Sequence, residues 1–281
     1  MKQLLLIGLW WFCLSTDAQE VEFTPEDSIR IERMLMKAQS EKLENVMLYF
    51  GKQFIGIPYV GHTLEEGDKE HLIINTRELD CTTFVETVLA LYLCHKTKST
   101  SFRSYCDNLR KIRYRGGELK DYTSRLHYFT WWGEDNEKMG FVKSVGTNSY
   151  PFTATQRLNI NYMSTHPTLY KHLKANPKFV TIIGQQEKAS NGKTYRYIPK
   201  SLLNRTKKEL SCIQTGDIVS LITKKAGLDT SHVGIAVWQN DKLHLMHASS
   251  LYTKVVLDTN TFYDYGQRQS SMLGIRVYHV L

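Results

Sequence analysis

The sequence predicts an α+β fold on three observations. The first half spaces apolar residues by three and four, the last third switches to short alternating or β-branched runs, and no repeat or low-complexity linker marks a sharp boundary between them. The chain has 281 residues, 42% of them hydrophobic and 23% charged, an ordinary globular composition with enough apolar side chain for a sizeable core. A formal charge of +8 implies attraction to anionic partners without choosing among nucleic acid, acidic glycan and carboxylate-rich peptide.

Residues 1–18 read as an export signal: Lys2 precedes the apolar run Leu4 to Leu14, and Thr16-Asp17-Ala18 places small residues where a signal peptidase cuts. That run is shorter than the roughly twenty residues a membrane span takes. Cys13 follows Phe12, where a lipid-modified bacterial cysteine needs a small residue. The sequence therefore favours a periplasmic or extracellular protein, without stable membrane insertion after cleavage, over a lipoprotein. Cys81, Cys94, Cys106 and Cys212 remain in the mature chain, too few for a disulfide scaffold. The chain has no C-x-x-C or H-E-x-x-H spacing and no glycine-rich phosphate loop, so neither metal nor cofactor is expected.

From the N-terminus, Thr24-Pro25-Glu26-Asp27 supplies an N-cap, a first-turn proline and an acidic third position, predicting a helix that buries Ile31, Met34, Leu35 and Ala38. Leu43, Val46, Met47, Phe50 and Phe54 continue helical spacing to about residue 54. Gly56-Ile57-Pro58-Tyr59-Val60-Gly61-His62 breaks it, and a polar loop leads to Asp80. Asp80 is a good N-cap, and Phe84, Val85, Val88 and Leu89 follow at helical spacing, so Cys81 opens a buried helix. Unpaired N–H groups and the helix dipole there are expected to favour thiolate over thiol.

Arg103, Arg110, Lys111, Arg113 and Arg115 read as a solvated helix face. Arg125 and His127 are interleaved with Tyr128, Phe129, Trp131 and Trp132, a set that can grip a carboxylate and stack on a sugar. Ser164-Thr165-His166-Pro167 reads as a cap and helix start. Strands are expected over 179–183, 217–223, 231–238, 242–248, 254–258 and 274–280.

Alternation puts His232, Gly234 and Ala236 on one strand face, where small residues would let a helix approach, and His247 with Leu243 and Leu245, leaving His244 outward. Cys81, His232 and His247 together offer the nucleophile, proton shuttle and orienting group that acyl transfer needs.

Gly56-x-Pro58-Tyr59, Asp80-Cys81-x-x-Phe84-Val85, Ser231-His232-Val233-Gly234-Ile235 and His247-Ala248-Ser249 resemble, in order and context, the NlpC/P60 cell-wall peptidase superfamily. Arg77 to Glu86, Ser124 to Phe129, and Gly227-Leu228-Asp229 with Ser231 to Gly234 resemble more narrowly its DUF1460 amidase-like family. Thr82-Thr83 stand where the superfamily usually has Ser-Gly.

The resemblance implies a papain-like core, a cysteine helix on a small antiparallel sheet, with N-terminal helices and a helical or loop insertion. Residues 19–281 would form one amidase domain: N-terminal helices at 19–55, the cysteine segment at 56–95, the insertion at 96–176 and the sheet at 177–281. It implies Cys81 as nucleophile, His232 as base, His247 as orienter and Tyr59 lining the site, with Arg125 and His127 added as substrate-binding candidates. The activity implied is hydrolysis of the N-acetylmuramoyl–L-alanine amide in peptidoglycan fragments, the muropeptides. The alternatives are a γ-D-glutamyl-diamino acid endopeptidase or a non-catalytic wall-binding module. A nucleic-acid partner finds no recognition motif.

Overall fold

The computed structural model describes residues 21–281, so the expected signal at 1–18 lies outside the described residues. In chain order the elements are β1 (Val21–Glu22), α1 (Pro25–Ser40), α2 (Val46–Lys52), β2 (Leu72–Ile73), α3 (Cys81–Lys96), α4 (Phe102–Arg113) and α5 (Phe129–Lys138). There follow β3 (Val142–Ser144), β4 (Ala154–Arg157), α6 (Tyr162–Thr165), α7 (Lys171–Ala175), α8 (Pro177–Ser190) and β5 (Thr194–Pro199). The chain closes with β6 (Ile218–Thr223), β7 (Thr230–Gln239), β8 (Lys242–Ser249), β9 (Lys254–Leu257), α9 (Phe262–Arg268) and β10 (Met272–Val280).

The main sheet has eight strands in the order β4-β5-β10-β6-β7-β8-β9, with β3 also on β10. Its pairings are antiparallel. One face of β7, formed by Val233, Ile235 and Val237, joins the larger core with Phe84, Val85 and Val88 of α3. The other face carries Ala236 and, from β8, Leu243 and Leu245, which pack with Phe262 and Tyr265 of α9. Helix α3 is enclosed by this core: Phe84, Val85, Val88, Leu89, Ala90 and Leu91 all have no exposed surface, as expected of a helix that is apolar on nearly every side.

The start of α3 is held from two directions. Asp80 caps it, its side chain accepting from the Thr83 N–H at 2.7 Å while Thr83 Oγ1 accepts from the Asp80 N–H at 2.9 Å. Asp27 accepts from Thr24 at the start of α1 and, through Oδ1, from the Thr76 N–H and hydroxyl at 2.8 and 2.7 Å. Burial raises the Asp27 pKa, but these bonds outweigh it and bring it to about 2. The first helix is thereby fastened to the loop that delivers Cys81.

Four expectations change. Residues 179–183, expected as a strand, lie inside α8, whose N-cap Asn176 accepts from the Lys178 N–H and whose first position is Pro177. A short apolar run carries too little periodicity to separate strand from helix. The antiparallel pair β4 and β5 was not expected, because their partner residues, such as Ala154 and Tyr197, lie far apart in the chain and no local turn announces them. Helix α6 ends at Thr165, and a 3-10 turn at Pro167–Leu169 stands where Ser164 to Pro167 predicted a helix start. Among the basic residues of α4, Arg113 is buried: its Nε donates to Glu86 of α3 at 2.7 Å and Nη1 to the Ile73 carbonyl at 2.7 Å.

Candidate active site

A cavity of about 210 Å³ opens where the start of α3 meets the start of β7. Cys81 and Thr82 line it from the helix, Thr230 to Val233 from the strand, and Leu126 to Phe129 from the segment before α5. The cavity thus brings together Cys81, His232 and His127, three of the residues the sequence singled out.

His232 and His247 meet edge to face, with His232 Nε2 2.6 Å from His247 Nδ1. The ladder explains the contact. Ile235 pairs with Met246, so Gly234 stands opposite His247, and a Cβ on Gly234 would lie 3.1 Å from His247 Cβ and 2.8 Å from the Met246 carbonyl oxygen. The missing side chain leaves the His247 imidazole room to lean along the strand to His232. The glycine therefore serves the histidine pair, and the helix that the small residues of this face were expected to admit is α9, which packs with Ala236, while α3 packs on the opposite face.

His247 is fully buried, and its Nε2 points at Asp258 Oδ2 across 3.9 Å; neither atom has a hydrogen-bond partner. Burial raises the Asp258 pKa, but His247 and the two N–H donors of Asn260 outweigh it, lowering it to about 2. Asp258 is thus a buried carboxylate. Sequence reading missed it because it carries no motif; it lies just past β9, and its place within reach of an inward histidine emerges only once β9 pairs with β8, Val256 opposite His247. His244, expected outward, is half-buried and its Nδ1 lies 3.0 Å from the carbonyls of Asp258 and Asn260, bracing the same loop.

Burial and then Asp80 push the Cys81 thiol up to about 12, against the Val233 N–H, the Thr82 side chain and the N–H of Cys81 itself. Burial and Asp80 thus oppose the thiolate that the helix start was expected to favour. Burial and then His247 push His232 down to about 3. Both shifts favour a neutral thiol and a neutral imidazole at rest. Tyr59 does not line the cavity, but it bridges to Leu79 beside Cys81, and burial, then Cys81 and Asp80, push its phenol up to about 12.

The segment from Arg125 to Trp132 divides. Leu126, His127, Tyr128 and Phe129 line the cavity, whereas Trp131 and Trp132 are core, Trp132 stacking on Phe129 at 4.6 Å. Arg125 does not line the cavity: its guanidinium donates to Glu70 at 2.8 and 2.6 Å, to Glu65 at 2.7 Å and to the Leu64 carbonyl at 2.8 Å. The expected direct grip on a substrate carboxylate gives way to an internal ion cluster.

Cys81, Cys94, Cys106 and Cys212 are all free thiols. Among the described residues no group of three or more His, Cys, Asp or Glu side chains is arranged to hold a metal, and no helix is long and apolar enough to cross a membrane.

A mixed α/β fold with an antiparallel sheet, carrying a thiol and imidazoles at one cavity, defines the class. The chain belongs to the AmiA-like family, described as N-acetylmuramoyl-L-alanine amidase-like, whose model matches residues 49–275. It is similar to the crystal structure of an N-acetylmuramoyl-L-alanine amidase from Bacteroides uniformis, at 40% identity and a TM-score of 0.78 over 87% of this chain and 99% of that one. A Bacteroides fragilis protein whose name proposes xylanase activity is 42% identical, with a TM-score of 0.77 over 83% of this chain and 100% of that one. A Legionella pneumophila protein of the DUF1460 family shares the fold at 24% identity, with a TM-score of 0.70 over 91% of this chain and 95% of that one. No curated protein matches the chain.

Proposed function

We propose that the chain is an exported cysteine amidase with an NlpC/P60-type papain-like core, which hydrolyses the N-acetylmuramoyl–L-alanine amide of peptidoglycan fragments outside the cytoplasm. The observation that carries the reading is the 2.6 Å contact of His232 Nε2 with His247 Nδ1 beside a cavity that Cys81 also lines. The family supports the bond assigned, and a buried cysteine helix packed on an antiparallel sheet supports the superfamily.

In this reading the chain of groups sets the tautomers. The Asp258 carboxylate favours the proton on His247 Nε2, which makes His247 Nδ1 an acceptor and puts the His232 proton on Nε2. His232 Nδ1 is then an unprotonated base. It takes the Cys81 proton as Sγ attacks the muramoyl carbonyl carbon, and returns it to the leaving L-alanine nitrogen as the C–N bond breaks. A water then attacks the thioester, His232 taking its proton; the C–S bond breaks, the muramoyl carboxylic acid leaves and the thiol is restored. Because both resting groups are neutral, the proton moves during attack and not beforehand.

The test is mass spectrometry of products from a defined muropeptide. Release of an intact L-alanyl peptide and free N-acetylmuramic acid supports the reading, whereas scission after γ-D-glutamate selects the endopeptidase and no product from wild type selects the binding module.

A further inference from the structure

The wall of the cavity includes polar side chains that this chemistry leaves unused. Glu65 lines it and accepts from Arg125 through Oε1, while its Oε2 is buried without a hydrogen-bond partner. Tyr122 lines it too, is 1% exposed, and its hydroxyl is also buried without a partner. The Arg125 guanidinium lies 4.9 Å from the centre of the Tyr122 ring and 2.7 Å from Glu65, so the two orphaned groups share one neighbourhood. His127 stacks on the Tyr122 ring at 4.3 Å, and its Nε2–H donates to the Tyr122 carbonyl at 2.7 Å, which leaves Nδ1 an acceptor. Burial and Arg125 keep that imidazole neutral.

Buried polar atoms without partners are uncommon and costly, and two on one cavity wall are suited to a ligand that satisfies them. The ligand must bring donors, because a carboxylate oxygen and an imidazole lone pair only accept. It cannot be a carboxylate, which Glu65 would repel. An uncharged ring bearing several hydroxyls meets every condition.

We propose that Glu65, Tyr122 and His127 form a sugar subsite, which takes the hydroxyls of the amino sugar on the acyl side of the scissile amide. This rests on the amidase reading above. It also reassigns the Arg125 segment, with the acidic partner of the arginine, and not the arginine, meeting the substrate.

The experiment compares N-acetylmuramoyl-L-alanyl-D-isoglutamine with D-lactoyl-L-alanyl-D-isoglutamine, which keeps the scissile amide and lacks the sugar. Wild type is expected to favour the first in kcat/KM. Glu65→Gln should shrink that preference about tenfold, and Tyr122→Phe, which spares the ring stacking, by a smaller factor. A general loosening of the Arg125 cluster would instead depress both substrates and leave the ratio at its wild-type value, which overturns the subsite. Calorimetric titration of Cys81→Ala with the muramoyl compound, with and without Glu65→Gln, needs no turnover. If wild type spares the muramoyl amide, the amidase reading falls and this titration alone decides the subsite: weaker binding with Glu65→Gln supports it, equal binding overturns it. A loss confined to L-alanyl-D-isoglutamine, which carries a free ammonium, assigns the pocket to an amine and also overturns it.

Discussion

His247 Nε2 and Asp258 Oδ2 face one another across 3.9 Å inside the protein, each without another hydrogen-bond partner. The gap is too long for a hydrogen bond, yet the carboxylate is held in place: its Oδ1 accepts from the Asn260 N–H at 2.9 Å and from the Asn260 amide at 3.0 Å. A fixed negative charge there selects one tautomer of His247, and through the 2.6 Å contact one tautomer of His232. In the proposed mechanism Asp258 is accordingly a positioning residue. Asp258→Asn should lower kcat by on the order of a hundredfold with little change in KM, and should shift the acidic limb of the kcat profile. A KM effect with unchanged kcat and unchanged profile would remove Asp258 from this chain of groups.

The thiol supplies a test of its own. Burial and Asp80 hold Cys81 protonated in the neutral range, so the thiolate fraction grows as pH rises toward about 12. Alkylation of Cys81 by iodoacetamide should therefore climb steadily from pH 6 to pH 10, scored against Cys81→Ala to subtract Cys94, Cys106 and Cys212. A rate plateau already reached near pH 6 would mean that a thiolate–imidazolium pair exists at rest. Turnover by Cys81→Ala should be lost while its melting temperature stays near wild type, because alanine suits the first turn of a helix.

At Gly234 the backbone lacks a side chain for a reason the ladder makes plain. An added Cβ would sit 2.7 Å from Leu245 Cδ1, 2.8 Å from the Met246 carbonyl oxygen and 3.1 Å from His247 Cβ. Gly234→Ala should cost about 1–3 kcal/mol in denaturant unfolding and should also lower kcat by displacing His247. A variant with wild-type stability and rate would show that the strands part without moving the imidazole.

How far the sequence reaches depends on the range of the interaction. The Asp80 cap, the buried helix after Cys81 and the parity that pairs His232 with His247 rest on neighbours within a few residues, and all are readable from spacing. Asp258, Glu65 and Tyr122 are not. Each acquires its environment from a residue many positions away, and nothing local distinguishes them from ordinary polar residues. The balance at the Cys81 thiol is not legible either, because the helix start is visible in sequence, whereas the enclosure that opposes ionisation is a property of the assembled core. Arg125 was misread in the same way: a guanidinium beside aromatic rings suggests a ligand until Glu65 and Glu70 fold against it.

That cluster makes the last prediction. Arg125 is buried, with the side chain of Glu70 1% exposed and that of Glu65 17%. Burial disfavours its charge, but Glu70 and Glu65 more than offset this, so the guanidinium stays protonated. Arg125→Ala would leave two carboxylates enclosed without their cation and should cost about 3–5 kcal/mol, read as a large fall in melting temperature. Arg125→Lys should recover only part of it, because an ammonium cannot reproduce the paired donors that Nε and Nη2 offer Glu70. The deficit should also depend on pH with a definite sign. Without the arginine the enclosed carboxylates bind protons more readily than in the unfolded chain, so the melting temperature of Arg125→Ala should approach that of wild type as pH falls from 7 to 5. A deficit that stays constant or widens over that range would mean that Arg125 contributes packing and not charge compensation.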